Sequence, residues 1–137
     1  MNSSKVLLLY TGGTIGMTRS PNGYAPQSGR FRAALDEISD LRAPELPAWE
    51  LMELEPLLDS SNMTVHEWNK IACAVAENYD RYDGFVILHG TDTMAYTASA
   101  LSFMLGNLAK PVVLTGSQIP LCEVRSDGRD NIITSML

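Results

Sequence analysis

The sequence predicts an α/β fold with an open, mostly parallel sheet and helices on both faces. Short apolar runs of strand length alternate along the chain with segments whose apolar residues recur at helical spacing. This alternation is typical of a parallel sheet with crossover helices. Several of the runs are apolar throughout, as strands buried on both faces are. With 137 residues, 45% of them hydrophobic, the chain is long enough for one domain with its own core.

The first third of the chain predicts a strand, a hairpin and a helix. The apolar run Val6–Tyr10 predicts a buried strand, and Gly12-Gly13 ends it. A polar, turn-rich stretch over 17–29 follows, and its Asn22-Gly23 pair is a strong hairpin-turn signal. The pattern over Arg30–Ile38 predicts the first helix.

The middle of the chain predicts a second strand and a capped helix. Glu50–Leu58 has the length of a strand, although acidic residues interrupt its apolar pattern. Thr64 and Glu67 form a capping box at the start of the helix. Its apolar face carries Trp68, Ile71, Ala72, Val75 and Tyr79. Cys73 lies inside this helix, and we expect it in the core.

The last third predicts two more strands, each followed by a helix. Phe85–Leu88 and Val112–Leu114 have the composition of buried strands. The helix between them is expected to run to about Leu108. Its inner face is predicted to carry Thr97, Leu101, Met104, Leu105 and Leu108. The final helix is expected to begin near Ser126 or Asp127.

Polar clusters follow all four predicted strands. Ligands bind beyond the carboxyl ends of the strands in open α/β sheets, and right-handed crossovers bring those ends to one edge. The clusters are Thr11–Gly16, Asp59–Asn62, His89–Thr93 and Thr115–Gln118. Their shared position predicts a single active site built from glycines, hydroxyls and the acids Asp59 and Asp92.

Charge and composition exclude several classes of partner. A net charge of −6 argues against nucleic acid, which would need a basic face. No stretch approaches the roughly 20 apolar residues of a membrane span, and no signal-peptide pattern opens the sequence. We therefore expect a cytoplasmic protein without a membrane partner. Cys73 and Cys122 are expected to be reduced thiols, and no cofactor or metal is predicted.

Thr14, on the loop after the first strand, is a candidate nucleophile. Gly12 and Gly13 allow a tight turn and a close approach of the backbone to a ligand. A phosphate loop would also use glycines, but this loop lacks the lysine and the spacing of the phosphate-binding motifs. A hydroxyl presented at a strand end suits nucleophilic catalysis, provided that a base activates it.

Neither histidine is the expected base for Thr14. His66 lies in the first turn of an exposed helix, and His89 is interpreted as a residue that orders its loop. Tyr24 lies beside the hairpin turn, where it either closes over Thr14 or only packs the loop. The sequence leaves these two roles of Tyr24 open.

The remaining polar residues have a functional and a structural interpretation. Thr91 and Asp92 offer a second hydroxyl beside a carboxylate, and Asp92 suits a substrate ammonium group. Thr and Asp are also favoured at helix N-caps, where they need no catalytic role. Ser60 and Ser61 suit a substrate carboxylate, and like Ser117 they also suit turns.

Two long motifs resemble the signatures of the bacterial-type asparaginases. They are Thr11-Gly12-Gly13-Thr14-Ile15-Gly16 and the ten residues 84–93, Gly-Phe-Val-Ile-Leu-His-Gly-Thr-Asp-Thr. The similarity extends to residues 59–61, 115–118 and 125–128. The Gly-Tyr-Ala-Pro stretch around Tyr24 is similar to the cytoplasmic type I branch.

The resemblance implies hydrolysis of L-asparagine to L-aspartate and ammonia. Thr14 matches the family's nucleophile, and Tyr24 matches the lid tyrosine that helps to activate it. Thr91 and Asp92 match two members of a Thr-Lys-Asp constellation. The implied substrate-binding residues are Asp59, Ser60, Ser61 and Ser117. Ser60, Ser61 and Asp92 fall where the family holds the α-carboxylate and α-amino groups of the substrate. Ser117 falls near the side-chain amide of the substrate.

The lysine of that constellation has no counterpart among Lys5, Lys70 and Lys110, none of which follows a strand. We therefore expect residues 1–137 to be a truncated asparaginase N-terminal domain, without the family's C-terminal domain and inactive alone. A full-length form is expected to be a homodimer or homotetramer. Two alternatives remain: a glutaminase-like subunit that feeds ammonia to a tRNA-dependent amidotransferase, and a non-catalytic amino-acid-binding module.

Overall fold

The computed structural model describes residues 4–137 and contains six strands and four α-helices in that range. In chain order they are β1 (Lys5–Gly12), β2 (Met17–Ser20), β3 (Gly23–Pro26), α1 (Arg30–Asp36), β4 (Ala48–Leu58), α2 (Val65–Asn78), β5 (Gly84–Leu88), α3 (Met94–Met104), β6 (Val112–Thr115) and α4 (Gly128–Met136). Short 3-10 turns lie at Thr14–Gly16, Ser39–Arg42, Ser60–Asn62 and Tyr79–Arg81.

Four strands form one fully parallel sheet in the order β4-β1-β5-β6. Leu9 of β1 lies opposite Met52 of β4 on one side and Ile87 of β5 on the other. Leu88 of β5 lies opposite Thr115 of β6. The predicted α/β fold with a parallel sheet is confirmed, and all four carboxyl ends reach the same edge. β2 and β3 pair separately as the predicted hairpin.

The two faces of β1 and β5 feed two separate apolar clusters, because side chains alternate along a strand. One cluster packs against α1 and α4 and the other against α2 and α3. Buried members of the first include Leu8, Tyr10, Phe31, Leu35, Leu88 and Ile132. Buried members of the second include Leu7, Leu9, Ile71, Val75, Ile87 and Leu101. Helices therefore cover both faces of the sheet, as the alternating pattern predicts.

Helix α2 begins where the sequence predicts. The Thr64 side chain accepts from the His66 N–H, and the Glu67 carboxylate accepts from the Thr64 N–H at 3.0 Å. The expectation for Cys73 is wrong, because this residue is exposed. Its neighbours Ile71 and Ala74 take the buried face of the helix, which leaves position 73 on the solvent side.

Helix α3 is shorter than predicted. It ends at Met104 rather than near Leu108, and a turn with Asn107 at φ 57° follows. Thr97 and Leu101 are buried as expected, but Met104 and Leu108 are exposed. No helix within residues 4–137 is long and apolar enough to cross a bilayer.

A substitution of Ile87 tests whether β5 lies at the centre of this core. Its side chain is fully buried, so Ile87→Ala should lower the free energy of unfolding by about 2–5 kcal/mol through lost burial and a cavity. Phe103→Ala is the matched control, because Phe103 is 89% exposed and should change stability by less than about 0.5 kcal/mol. Urea denaturation followed by circular dichroism measures both values. Equal losses in the two variants would contradict the assigned core.

Candidate active site

The ends of β1, β4 and β5 lie so close together that their main chains are in direct contact, with no side chain between them. A Cβ atom added to Gly13 would lie 2.5 Å from the Cα and N of Gly90, and Gly13 has a φ of 89°. A Cβ on Gly12 would collide with the carbonyl oxygen of Leu58 at the end of β4. Glycine alone fits such positions, since other residues have no room and rarely adopt a positive φ. The loop carrying Thr14 is therefore fixed directly against its neighbours.

The loop after β5 is packed just as closely on its other sides. A Cβ on Gly90 would lie 2.5 Å from both Cβ and Oγ of Ser60. A Cβ on Gly116, after β6, would collide with the carbonyl oxygen of His89. All four predicted clusters thus meet at one edge of the sheet, which the sequence predicts from parallel strands joined by right-handed crossovers.

Thr14 begins a short 3-10 turn, Thr14–Gly16, directly after β1. Gly16 lies over Tyr10, because a Cβ at this position would overlap the phenol oxygen. On the other side the Leu121 N–H donates to the Ile15 carbonyl at 3.0 Å. The half-buried Thr14 therefore lies on a turn that is held by packing on Tyr10 and by the hydrogen bond from Leu121.

Tyr24 lies on β3 and is 47% exposed. Its phenol O–H donates to the carboxylate of Glu123 at 2.7 Å. Arg19, on the paired strand β2, donates two hydrogen bonds to the same carboxylate at 2.8 and 2.9 Å. Within the described residues the partner of the Tyr24 phenol is Glu123 rather than Thr14, a pairing that no local sequence pattern indicates.

The hydrogen bonds among Arg19, Tyr24 and Glu123 shift the pKa values of these side chains. Hydrogen bonds from Arg19 and then from Tyr24 lower the pKa of Glu123 to about 2. The bond to the Glu123 carboxylate raises the pKa of Tyr24. At neutral pH the glutamate is therefore ionised and the phenol keeps its proton.

The cluster after β4 combines a structural turn with exposed polar groups. The Asp59 carboxylate accepts from the Ser61 N–H at 3.0 Å and so caps the turn Ser60–Asn62. Ser60 is buried, whereas Asp59 and Ser61 are exposed. The side chain that stabilises this turn is therefore the carboxylate of Asp59, and the exposed Ser61 lies beside it.

Thr91 and Asp92 lie between β5 and α3, with Thr91 half-buried and Asp92 exposed. The N-cap position of α3 is Thr93, but its side chain makes no capping bond to the helix. Its hydroxyl instead donates to the Ser60 carbonyl at 2.7 Å. Capping therefore does not account for the Thr-Asp-Thr run, and Thr93 links the ends of β5 and β4.

His89 is fully buried and orders the β5 loop, as the sequence predicts. The Trp68 indole N–H donates to the Thr97 hydroxyl at 3.0 Å, and that hydroxyl lies 2.8 Å from His89 Nε2. His89 Nδ1 lies 2.6 Å from the Gly90 carbonyl oxygen, so it must donate its hydrogen there. Nε2 then accepts from Thr97, and burial lowers the pKa of the ring. A neutral imidazole with both nitrogens engaged leaves no site for general-base chemistry.

A cleft of about 270 Å³ opens at the ends of β5 and β6. Polar residues that line it include Thr91, Ser117, Gln118, Asp127 and Asn131. Ser117 is 2% exposed, and its hydroxyl donates to the Ile119 carbonyl at 2.6 Å. The free capacity of that hydroxyl is therefore as an acceptor.

None of the three lysines reaches this edge of the sheet. Lys5 begins β1 and pairs with Glu50 at 2.6 Å, and the Lys110 ammonium donates to the Tyr79 carbonyl. Lys70 lies inside α2. Within residues 4–137 no group of three or more His, Cys, Asp or Glu side chains is placed to hold a metal ion.

A family model matches nearly the whole of this chain. The family model for "Asparaginase, N-terminal" matches residues 5–137. L-asparaginase 1 of Escherichia coli K12 is 55% identical over 136 residues, which cover 99% of this chain and 40% of that protein. This chain therefore spans about 40% of the length of that relative.

Two solved structures have the same fold. L-asparaginase I of Vibrio cholerae superposes with a TM-score of 0.91 at 52% identity, over 97% of this chain and 40% of that one. A probable cytoplasmic L-asparaginase of Campylobacter jejuni superposes with a TM-score of 0.70 at 33% identity, over 94% and 37% of the two chains.

The contact between Gly90 and Ser60 can be tested by adding one methyl group. Gly90→Ala places a Cβ 2.5 Å from Ser60, so it should lower the free energy of unfolding by about 1–3 kcal/mol and shift the Ser60 amide resonance. Gly106→Ala is the control, because a Cβ there meets nothing within 4 Å. If the two alanines cost the same, the close approach of the strand ends is not a constraint.

The pKa of Glu123 predicts how the Tyr24 contact depends on pH. A carboxyl whose pKa falls on folding stabilises the folded state at pH values above its ordinary pKa of 4.5. This contribution is lost as the pH falls toward about 2. Titration of the Glu123 carboxyl carbon by NMR should give a midpoint near 2. Arg19→Ala should move that midpoint up toward 4.5, and an unchanged midpoint would contradict the assigned ion pair.

Proposed function

We propose, from the premise that this chain belongs to the asparaginase family, that its strand-end loops form part of a site that hydrolyses L-asparagine to L-aspartate and ammonia. The observation that carries the proposal is the packing of Gly13 against Gly90. This contact holds the Thr14 turn beside the loop that bears Thr91 and Asp92. Two hydroxyls and a carboxylate are thereby fixed at one edge, as acyl transfer to a hydroxyl requires.

In this proposal Thr14 is the nucleophile and Tyr24 its proton acceptor. The Tyr24 phenol donates its hydrogen to the Glu123 carboxylate, so as its oxygen takes the proton of Thr14, its own proton passes to Glu123. Closure of the β2-β3 hairpin over the Thr14 turn, with the Tyr24 bond to Glu123 kept, would bring the two oxygens together and exclude water. The pairing with Glu123 supports this role over simple packing, because it orients the phenol.

Thr91 provides the second hydroxyl, and it lines the cleft at the end of β6. The family resemblance implies a lysine as its basic partner. Since Lys5, Lys70 and Lys110 lie elsewhere, we propose that this base comes from polypeptide other than these 137 residues. Backbone N–H groups of the glycine-containing loops would stabilise the oxyanion, each worth roughly 3 kcal/mol of barrier.

Substrate recognition divides between the clusters after β4, β5 and β6. We assign the α-carboxylate to Ser60, Ser61 and backbone N–H groups beside them, with Asp59 fixing the turn that presents them. Asp92 is an exposed carboxylate that suits the α-ammonium group. Ser117 donates its hydrogen to Ile119, so it would accept a hydrogen bond from the substrate's side-chain amide.

We further propose a cytoplasmic location and a homodimeric or homotetrameric assembly for the protein that carries this chain. The similarity to the Campylobacter jejuni structure, whose name describes a probable cytoplasmic enzyme, supports the location. The assembly rests on the family resemblance alone, and analytical ultracentrifugation of the full-length protein tests it.

A chimaera tests the proposed activity. Residues 1–137 would replace the matching 40% of L-asparaginase 1 of Escherichia coli, which supplies the missing basic partner. We expect ammonia release from asparagine by the chimaera and none by the 137-residue chain alone. Thr14→Ala and Thr91→Val should each lower kcat by at least about 10³-fold while circular dichroism stays unchanged. Thr134→Val, at an exposed position of α4, is the control and should retain full activity.

Other outcomes of that experiment separate the alternatives. Ammonia release by the isolated chain, lost in Thr14→Ala, would overturn its predicted inactivity. Preference for glutamine over asparagine would favour the ammonia-supplying subunit. Calorimetric binding of asparagine without any turnover in the chimaera would favour an amino-acid-binding module.

A further inference from the structure

The segment Gln118–Asp127 forms a loop that is closed at its neck by hydrogen bonds. The Asp127 carboxylate accepts from the Gln118 N–H and the Ile119 N–H, both at 3.0 Å. The Ser126 hydroxyl donates to the Ile119 carbonyl at 2.9 Å. A surface loop of this length whose ends meet is an Ω-loop, and we call it the 118–127 loop.

Asn131 fastens this neck to the sheet. Its side-chain amide donates to the Gly116 carbonyl at 2.8 Å, directly after β6, and to the Asp127 carboxylate at 3.3 Å. The bonds from the backbone of Gln118 and Ile119 lower the pKa of Asp127 and keep its carboxyl ionised at neutral pH. The neck therefore has a fixed position relative to the end of β6.

The tip of the 118–127 loop contacts both elements that the proposed mechanism needs. The Leu121 N–H donates to the Ile15 carbonyl at 3.0 Å, next to Thr14. Glu123 accepts from the Tyr24 phenol at 2.7 Å and pairs with Arg19 at 2.8 Å. One loop thus holds the turn of the candidate nucleophile and the phenol that would activate it.

Helix capping would be the simpler role for Asp127, since it occupies the N-cap position of α4. Its side chain, however, makes no capping bond to the helix. Both carboxylate oxygens point instead to the neck of the loop and to Asn131. Helix propensity alone therefore does not explain an aspartate at this position.

We infer that Asp127 is a positioning residue: it closes the 118–127 loop and thereby sets the position of Thr14 relative to Tyr24. The inference rests on the proposed function for the catalytic roles of those two residues. The contacts that carry it hold for the chain whatever reaction it supports. No local sequence pattern indicates this role of Asp127, because the residues it closes on lie eight and nine positions away.

NMR spectroscopy of the 137-residue chain tests the structural half of this inference. Asp127→Ala should shift the amide resonances of Ile15 and Glu123, and those of the Tyr24 ring, as well as those of Gln118 and Ile119. Asp127→Asn should give smaller shifts, because one amide oxygen still accepts from the neck. Asp130→Asn, an exposed acid on the same helix, is the control and should leave these signals in place. Shifts confined to the neck and α4 would overturn the inference.

Kinetics of the chimaera test the catalytic half. Misplacing Thr14 against Tyr24 by about 1 Å should lower kcat about 10²-fold in Asp127→Ala, with KM changed less than about threefold. A fall in stability at unchanged kcat would show a purely structural role and overturn the inference. If the unsubstituted chimaera is inactive, the proposed function fails, whereas the NMR result still decides whether Asp127 positions the two elements.

Discussion

Backbone contact between strand-end loops is the constraint on which the candidate site depends. Gly13 and Gly90 meet with their main chains nearly touching, and Gly90 in turn lies against Ser60. Any side chain at these positions would separate the loops by the thickness of at least one methyl group. Interiors that are close-packed transmit such displacements rather than absorb them. The spacing of Thr14 and Thr91 is therefore set by the absence of side chains between their loops.

A buried polar relay holds the central loop in one conformation. Trp68 on α2, Thr97 on α3 and His89 at the end of β5 are joined by hydrogen bonds that end on the Gly90 carbonyl. Buried polar groups that are fully paired specify one arrangement, since any alternative leaves a donor or acceptor unsatisfied. The relay thus fixes the orientation of the peptide that precedes Thr91, and two helices on one face of the sheet contribute to the geometry of the site.

Neighbouring hydroxyls on one loop differ in what they contact. Thr93 donates its hydroxyl hydrogen to the Ser60 carbonyl, while Thr91 on the same loop lines the cleft at the ends of β5 and β6. Hydroxyl residues are favoured in turns for the same reason that they suit substrate recognition, because they can both donate and accept. Whether a hydroxyl stabilises its own turn is therefore decided by the hydrogen-bond partner that the fold supplies.

The sequence by itself determined the parallel sheet, the hairpin, the α2 cap and the convergence of four polar clusters at one edge. Those features depend on side-chain periodicity and on neighbours a few positions apart, so a pattern such as that of Val6–Tyr10 reveals them. Only the tertiary structure decided the exposure of Cys73, the partner of Tyr24 and the direction of the Asp127 carboxylate. Tyr24 and Glu123 are 99 positions apart, and their contact depends on the paths of a hairpin and a loop across the sheet edge. No local pattern encodes such a path, because long-range hydrogen bonds form only once packing has brought their partners together.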